Sequence, residues 1–440
     1  MTSLQPTLQP QPSPANAIRV RRPWQRTVLS FLVAFGPGLI VMEADNDAGA
    51  VSTYMQAGGQ YGLHLLWVLV LLLPICYFVQ EMVARLGIAT GKGHAAMIYE
   101  RFGKAWGRFS LFDLLAVNFL TLITEFAAIS LAMSGLGVAP VISVPIAAIA
   151  LVALIATGSY RRWERIVVIL CLLDLTWFIA AALLHPRWSA VLYNTFIPSL
   201  PRTGKTGDLV FLIIAIVGTT IAPWQLFFQQ SCVAEKRLRF ADLKWARLDT
   251  FIGAVFSILV AGAMMLTGTF AYNHHIPFTD PAQLAQSIAT ILPHRSGIFL
   301  HHALLLLMVN AAVLGTTAIS LASAWAYGEV AGWQHSLHKK PTEAPGFYAV
   351  YAICVFSAAA IVLVPHLPLQ LVIVSVQVFA GLILPSAITF LQLLLNDRAL
   401  LGDRWVNRPW NNWINWSIVA VLFALSLILA AQILLPNLFT

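Results

Sequence analysis

The sequence predicts an all-α polytopic membrane protein of about eleven transmembrane helices, arranged as a 5+5 inverted repeat with helices 1 and 6 broken. Three observations predict it. Of the 440 residues, 59% are hydrophobic and only 10% charged, whereas a soluble domain carries about 25% charged residues. Apolar runs of about 20 residues, long enough to cross a bilayer, recur along the whole chain. Two of those runs, five apart in order, carry helix-breaking residues near their middle.

The chain opens with MTSLQPTLQPQPSPANAI, rich in Pro and Gln and without an apolar core. This reads as part of a disordered cytoplasmic tail, residues 1–29, and not as a signal peptide. Spans follow at 30–61, 63–86, 110–136, 139–157, 162–184, 208–232, 248–270, 297–330, 346–364, 368–395 and 413–435. The first five form repeat 1 (30–184), the next five repeat 2 (208–395), and 413–435 is an appended eleventh helix. Between spans seven and eight, FTDPAQLAQSIATIL reads as a short surface helix. Cys76, Cys171, Cys232 and Cys354 lack metal-binding spacing and read as small buried hydrophobes.

Basic residues orient the chain. With the N-terminus in the cytoplasm, 22 of the 26 Lys and Arg fall on cytoplasmic segments. Only Arg187, Arg202, Lys205 and Arg295 fall outside, and none lies deeper in a span than its cytoplasmic end turn. That asymmetry is the positive-inside pattern, and an odd number of spans puts the C-terminus outside. It also accounts for the formal charge of +8. The basic loops lack interleaved aromatics, so nucleic acid is not an expected partner. The expected partners are the lipid bilayer and a divalent metal ion.

The metal follows from the first span. MEADNDAGAVSTY places Glu43, Asp45 and Asp47 within five residues, with Asn46 between them and Gly49 just beyond. Each intramembrane carboxylate costs roughly 2.5–3.5 kcal/mol on insertion scales, so it faces a cavity or a partner. No span holds a Lys or Arg in its interior to pair with them, which leaves a bound cation. Asp, Asn and Gly also favour turns over helix, so the helix is expected to unwind near residues 45–49. Unwound backbone at membrane depth is tolerated where it is buried or lines a cavity. In span six, GTTIAPWQ carries the second break: Pro223 lacks a backbone donor and clashes with the preceding turn. Paired interrupted spans point to a transporter with its site at the midplane. Taken singly, a proline is a tolerated kink and a lone Asp a group held by buried donors. The pairing and the three acids favour the site.

These stretches resemble a known family. GPGLIVMEADNDAGAVSTYMQAGGQYGLHLLWVLVLL is similar to the opening of the Nramp divalent-metal transporters. The likeness continues in ARLGIATGKG, GTTIAPWQLFFQQS and LNDRALLGDRWVNRPW, and covers all eleven spans. It implies a LeuT-type fold with a metal site between broken spans one and six. The departures are informative. The family's Asp-Pro-Gly-Asn falls on Asp47, Ala48, Gly49 and Ala50, so the Asn ligand is lost. Its Met-Pro-His falls on Ala222, Pro223 and Trp224, and a second His on Gln229. Its Thr-Asp-Leu-Ala-Glu falls on Thr124, Glu125, Phe126, Ala127 and Ala128. Loss of a soft thioether removes a preference for transition metals. A roomier, all-oxygen site suits Mg²⁺, which sheds water reluctantly. The pattern is similar to that of the Nramp-related magnesium transporters.

The resulting expectations are specific. Asp47 is the principal ligand, direct or through water. The carbonyls of Ala48 and Ala222 are candidate ligands, and Gln225 is placed to bond a coordinated water. Glu43, Asp45 and Asn46 form an outer shell or an attracting field. Gly49, Ala50, Pro223 and Trp224 shape the site. Gln377 closes it from the second repeat, or else makes a helix-packing contact. Glu125 is a remnant of a proton route, or a structural acid bonded to Thr121 or Thr124. The expected activity is Mg²⁺ and Mn²⁺ uptake by alternating access without proton coupling, in a bacterial inner membrane, with no cofactor beyond the transported ion. Proton-coupled Mn²⁺ or Fe²⁺ import, an organic-cation or amino-acid carrier and a non-transporting metal sensor are the alternatives. No HExxH, GxSxG or His/carboxylate cluster suggests an enzyme.

Overall fold

A computed structural model describes residues 35–201 and 205–434. The tail 1–29 lies outside the described residues. Span one is α1 (Pro37–Ala44) and α2 (Ala48–Tyr61). Span two is α3 (Leu66–Thr90), span three α4 (His94–Gly135) and span four α5 (Pro140–Ile155). Span five is α6 (Tyr160–Leu173) and α7 (Thr176–Leu183), followed by α8 (Trp188–Phe196). Span six is α9 (Thr206–Thr220) and α10 (Pro223–Glu235). Then come α11 (Leu243–Asn273), α12 (Pro281–Ile291), α13 (His294–Ala331), α14 (Pro345–Val362) and α15 (Leu369–Leu395). A short α16 (Arg398–Trp405) leads to α17 (Pro409–Leu434), the eleventh span.

The eleven expected spans are all helical, and several boundaries move. Span three starts at His94 rather than 110, because an approach helix continues into it through Gly103, at φ 87°. The first break is narrower than expected and falls on 45–47, with helix resuming at Ala48. Span five carries an unexpected interruption at Asp174–Leu175. Helix α8 was not expected at all. The expected surface helix is α12, which Asp280 caps by accepting from Gln283 N at 2.9 Å. One of its faces is buried, through Leu284, Ala285 and Ile288.

Burial sorts the spans into centre and rim. The apolar stretch of α13 is 83% buried, against 17% for α17. α13 runs along α4, while α11 lies along both halves of span one. Glycine makes that last contact possible. A side chain at Gly268 would strike the Met55 carbonyl, and one at Gly58 the Met265 carbonyl. α9 and α15 approach the same way, where Gly218 faces the Gln377 carbonyl and Gly381.

The short helix α1 has no local side-chain cap at its N-terminus. Asp249 of α11 supplies one across the fold. Its carboxylate accepts from Gly38 N at 2.6 Å, Gly36 N at 3.2 Å and Leu39 N at 3.3 Å, all buried. Those are the donors that a helix start leaves without partners. Lys236 secures the entry by donating to the Phe35 carbonyl at 2.6 Å and pairing with Glu164 at 2.6 Å. Asp249→Ala is therefore expected to destabilise the protein by at least about 2 kcal/mol, because several buried donors lose one charged acceptor. An unfolding midpoint measured in detergent checks this, with Asp403→Ala, at a fully exposed acid, as the variant expected to leave it unchanged.

Candidate metal centre

The two breaks face each other at the middle of the bundle. In the first, Asp47 adopts an extended backbone and caps α2, its Oδ1 accepting from Ala50 N at 2.9 Å. In the second, Ile221 and Ala222 are extended, and Pro223 is the first residue of α10. Proline is suited there, since the missing N–H has no helical partner to lose. The Ala222 N–H is taken by Gln225 Oε1 at 3.2 Å, and Gln80 Nε2 donates to the same oxygen at 3.0 Å. Tyr54 of α2 and Thr220 at the end of α9 join by their hydroxyls at 2.7 Å, which ties the two broken spans together.

The expected residues fall into two groups. Asp45, Asp47, Ala50, Gln225 and Gln377 converge at the breaks, all buried. Gln225 faces the Asp45 carboxylate. Gln377 reaches in from the second repeat, and a Cβ on Gly49 would collide with its amide. Gly49 thus shapes the site by lacking a side chain. Glu43 leaves this group. It lies near Asp174 of span five, and Asn46 Nδ2 approaches it at 3.5 Å while donating to the Ser257 carbonyl at 3.2 Å. Glu43 and Asp47 do not share a helical face, because the break separates them. Trp224 packs edge-on against Phe228, their ring centroids 5.9 Å apart. Gln229 donates to Thr250 at 3.1 Å.

Two expectations need correcting. Ala48 lies in the first turn of α2, so its carbonyl belongs to helix rather than to unwound chain. Its N–H donates to Glu125 Oε2 at 3.2 Å. Glu125 in turn is not held by Thr121 or Thr124, whose hydroxyls donate to the carbonyls of Val117 and Thr121. It belongs to the centre, within bonding reach of the Asp47 carboxyl. Gly315 of α13 leaves room for this pair: a Cβ there would lie 2.8 Å from both Asp47 Cβ and the Glu125 carboxyl carbon.

Sequence reasoning missed Tyr54, Thr220, Gln80 and Gly315. The three polar residues carried a usable signal, being hydrogen-bonding groups inside apolar runs. Gly315 carried none.

The acids and amides at the breaks offer oxygen ligands, and the Cys76 thiol beside them is engaged with the Thr220 carbonyl at 3.5 Å. Among the described residues, no three His, Cys, Asp or Glu side chains gather in a metal-holding group. No ion pair between described residues involves Asp45, Asp47 or Glu125. Asp45 Oδ1 and Glu125 Oε1 are buried acceptors without a hydrogen-bond partner, and such atoms call for a donor or a cation. The set fits an ion that one or two carboxylates hold through part of its water shell.

Comparison with known proteins agrees with this architecture. Residues 38–432 match the family described as Nramp, natural resistance-associated macrophage protein-like. The divalent metal cation transporter MntH of Ralstonia nicotianae is 29% identical over 416 residues, covering 91% of this chain and 90% of that one. MntH 1 of Pseudomonas aeruginosa is 28% identical and covers 90% of each. The fold is similar to that of the Eremococcus coleocola manganese transporter, at a TM-score of 0.76 with 20% identity over 94% of this chain and 88% of that one. MhsT, solved with L-phenylalanine, gives 0.57 with 14% identity over 90% and 98%.

Asp47→Ala is expected to reduce metal flux in proteoliposomes to that of protein-free vesicles, while the variant elutes as an unaltered monodisperse species. Glu43→Gln, which alters a carboxylate turned toward span five, is expected to retain flux.

Proposed function

The chain belongs to the Nramp family, and from that premise we propose that it carries divalent metal ions across a membrane by alternating access. Mg²⁺ is its preferred cargo, Mn²⁺ is also admitted, and protons are not coupled. The observation that carries this reading is the composition of the centre. Asp47 stands at the break of span one, while Ala50 and Ala222 stand where the family resemblance leads one to expect an Asn and a Met. Without a thioether the site has lost its soft ligand. The two orphaned carboxylate oxygens suit the outward-pointing hydrogens of a partly hydrated ion.

Access requires movement. Asp45, Asn46, Asp47, Gln225 and Gln377 are all at most 2% exposed, so an ion reaches them only when an element shifts. The short helix α1, secured by Asp249 and Lys236, is the element we assign to the inner gate. In this reading that gate and the N-terminus face the cytoplasm and the C-terminus faces outside, in a bacterial inner membrane, an orientation that the basic loops support. Residues 30–184 and 208–395 act as the two repeats, and 413–435 as the appended helix. An inside-negative potential of 100 mV then favours entry of a divalent ion by about 4.6 kcal/mol.

One observation favours a second reading, proton-coupled Mn²⁺ import. Glu125 lies against Asp47, an arrangement in which a proton and a metal can compete for one place. Trp224, Gln229 and Ala128 argue against it, since they replace the two histidines and the second acid of the family pattern. Flux in liposomes carrying a lumenal pH dye separates the two. The expected result is Mg²⁺ entry without acidification and mutual competition with Mn²⁺. Mn²⁺ entry with acidification and no Mg²⁺ flux would overturn the proposal in favour of the second reading.

A further inference from the structure

Where α3, α11 and the linker before α17 meet, a cavity of about 550 Å³ opens at the basic end of the bundle. Four guanidinium groups line it, from Arg85, Arg247, Arg404 and Arg408, with one carboxylate, Glu81. Glu81 serves two of them, at 3.2 Å from Arg85 and 2.7 Å from Arg247. Arg85 is fully engaged, since it also donates to the Trp405 carbonyl at 2.7 Å and Asn407 Oδ1 at 2.6 Å. Arg404 lies over the Phe240 ring at 3.3 Å, a contact with the face of the guanidinium that leaves its N–H edge available. Arg408 is exposed on the same rim. One carboxylate against four cations leaves the cavity three positive charges in excess.

The remaining wall is apolar. Phe78, Leu243, Val406 and Trp410 line it. Trp410 is 51% exposed and Trp413, one turn on, 79% exposed, the placement of an aromatic belt at a membrane surface. A small soluble anion would use the arginines and leave this wall in water. A phospholipid uses both, because its phosphate accepts from the guanidinium forks while its glycerol and first methylenes cover the aromatic wall.

We propose that this cavity binds the headgroup of an anionic glycerophospholipid, with Arg404 and Arg408 as its phosphate contacts. The lipid bridges span two, span seven and the linker to span eleven, and its phosphate offsets part of the excess charge. This site is separate from the metal centre and does not depend on which ion is carried.

The full chain, purified in detergent and offered phosphatidylglycerol or phosphatidylcholine, tests the proposal by native mass spectrometry and by unfolding midpoint. Phosphatidylglycerol is expected to be retained preferentially and to raise the midpoint. The double variant Arg404→Gln/Arg408→Gln is expected to lose that retention by on the order of tenfold or more, the size two interfacial cations contribute. Arg398→Gln, an exposed arginine outside the cavity, is expected to retain it. Equal retention of the two lipids would overturn the proposal. So would undiminished phosphatidylglycerol binding by the double variant, or the same rise in midpoint with inorganic phosphate alone. Should the double variant not fold, Arg408→Gln alone carries the comparison.

Discussion

The structure depends on one constraint: a helix broken inside a membrane creates backbone ends that water cannot satisfy. Span one has two helix starts, at Gly36–Pro37 and at Asp47–Ala48, and both are met by carboxylates. Asp249 reaches across from α11 to take the donors of α1. Asp47 takes Ala50 N and Glu125 takes Ala48 N at the start of α2. Acids are the effective choice at these points, because a helix N-terminus carries a partial positive charge. The intramembrane acids are thus part of what allows the span to be broken at all. The break in span six is met by a neutral group, since Gln225 takes Ala222 N. The acids of the centre are therefore Asp45 and Asp47 of span one and Glu125 of span three, with none from span six.

That dual use explains why three carboxylates in one short stretch do not make one cluster of three. A carboxylate that caps a helix has one oxygen committed, and only the other is free to face an ion. Asp47 Oδ1 and Glu125 Oε2 are committed in this way, whereas Glu125 Oε1 and Asp45 Oδ1 are not. Glu43 sits on α1, before the chain turns, and its side chain meets Asp174 and Asn46 instead. Asp174 is itself held by Asn310, whose Nδ2 donates to it at 3.0 Å and to the Leu170 carbonyl at 3.1 Å. The interruption of span five at Asp174 removes the helical donor that Leu170 would otherwise receive, and Asn310 replaces it.

The sequence made legible whatever is local. Span positions follow from apolar length, and both breaks follow from residues that cannot continue a helix. The N-cap of α12 follows from Asp280 ahead of Pro281. The family likeness singled out Asp47, and of the two readings open for Gln377 the one that turns it toward the first break agrees with its amide lying against Gly49. What was not legible depends on partners far along the chain. Asp249 lies more than 200 residues from the helix it caps, and nothing in its surroundings announces that task. Gly315 matters only because its missing side chain makes room for Asp47 and Glu125. Glu43 lies four residues before Asp47, and the turn between them sends the two acids to different neighbours.

On the proposed reading, Ala50 and Ala222 bear on how an ion is held. Replacing an Asn and a Met by Ala50 and Ala222 removes side-chain ligands from both broken spans. The backbone does not replace them freely, since the Ala222 carbonyl already receives Gln225 N at 3.2 Å and Ala48 is within a helix. Fewer direct ligands are therefore on offer than a stripped transition metal requires. An ion that keeps much of its own coordination shell needs a wall of acceptors instead, because coordinated water turns its hydrogens outward. Asp45 Oδ1 and Glu125 Oε1 are acceptors of that kind. The Gln377 amide, whose nitrogen has no hydrogen-bond partner, can offer its oxygen by rotating about the terminal bond. Discrimination in such a site acts through the size of the hydrated ion and not through the softness of a ligand. Mg²⁺, with its tightly held octahedral shell, is the divalent ion whose hydrated form is best defined in size.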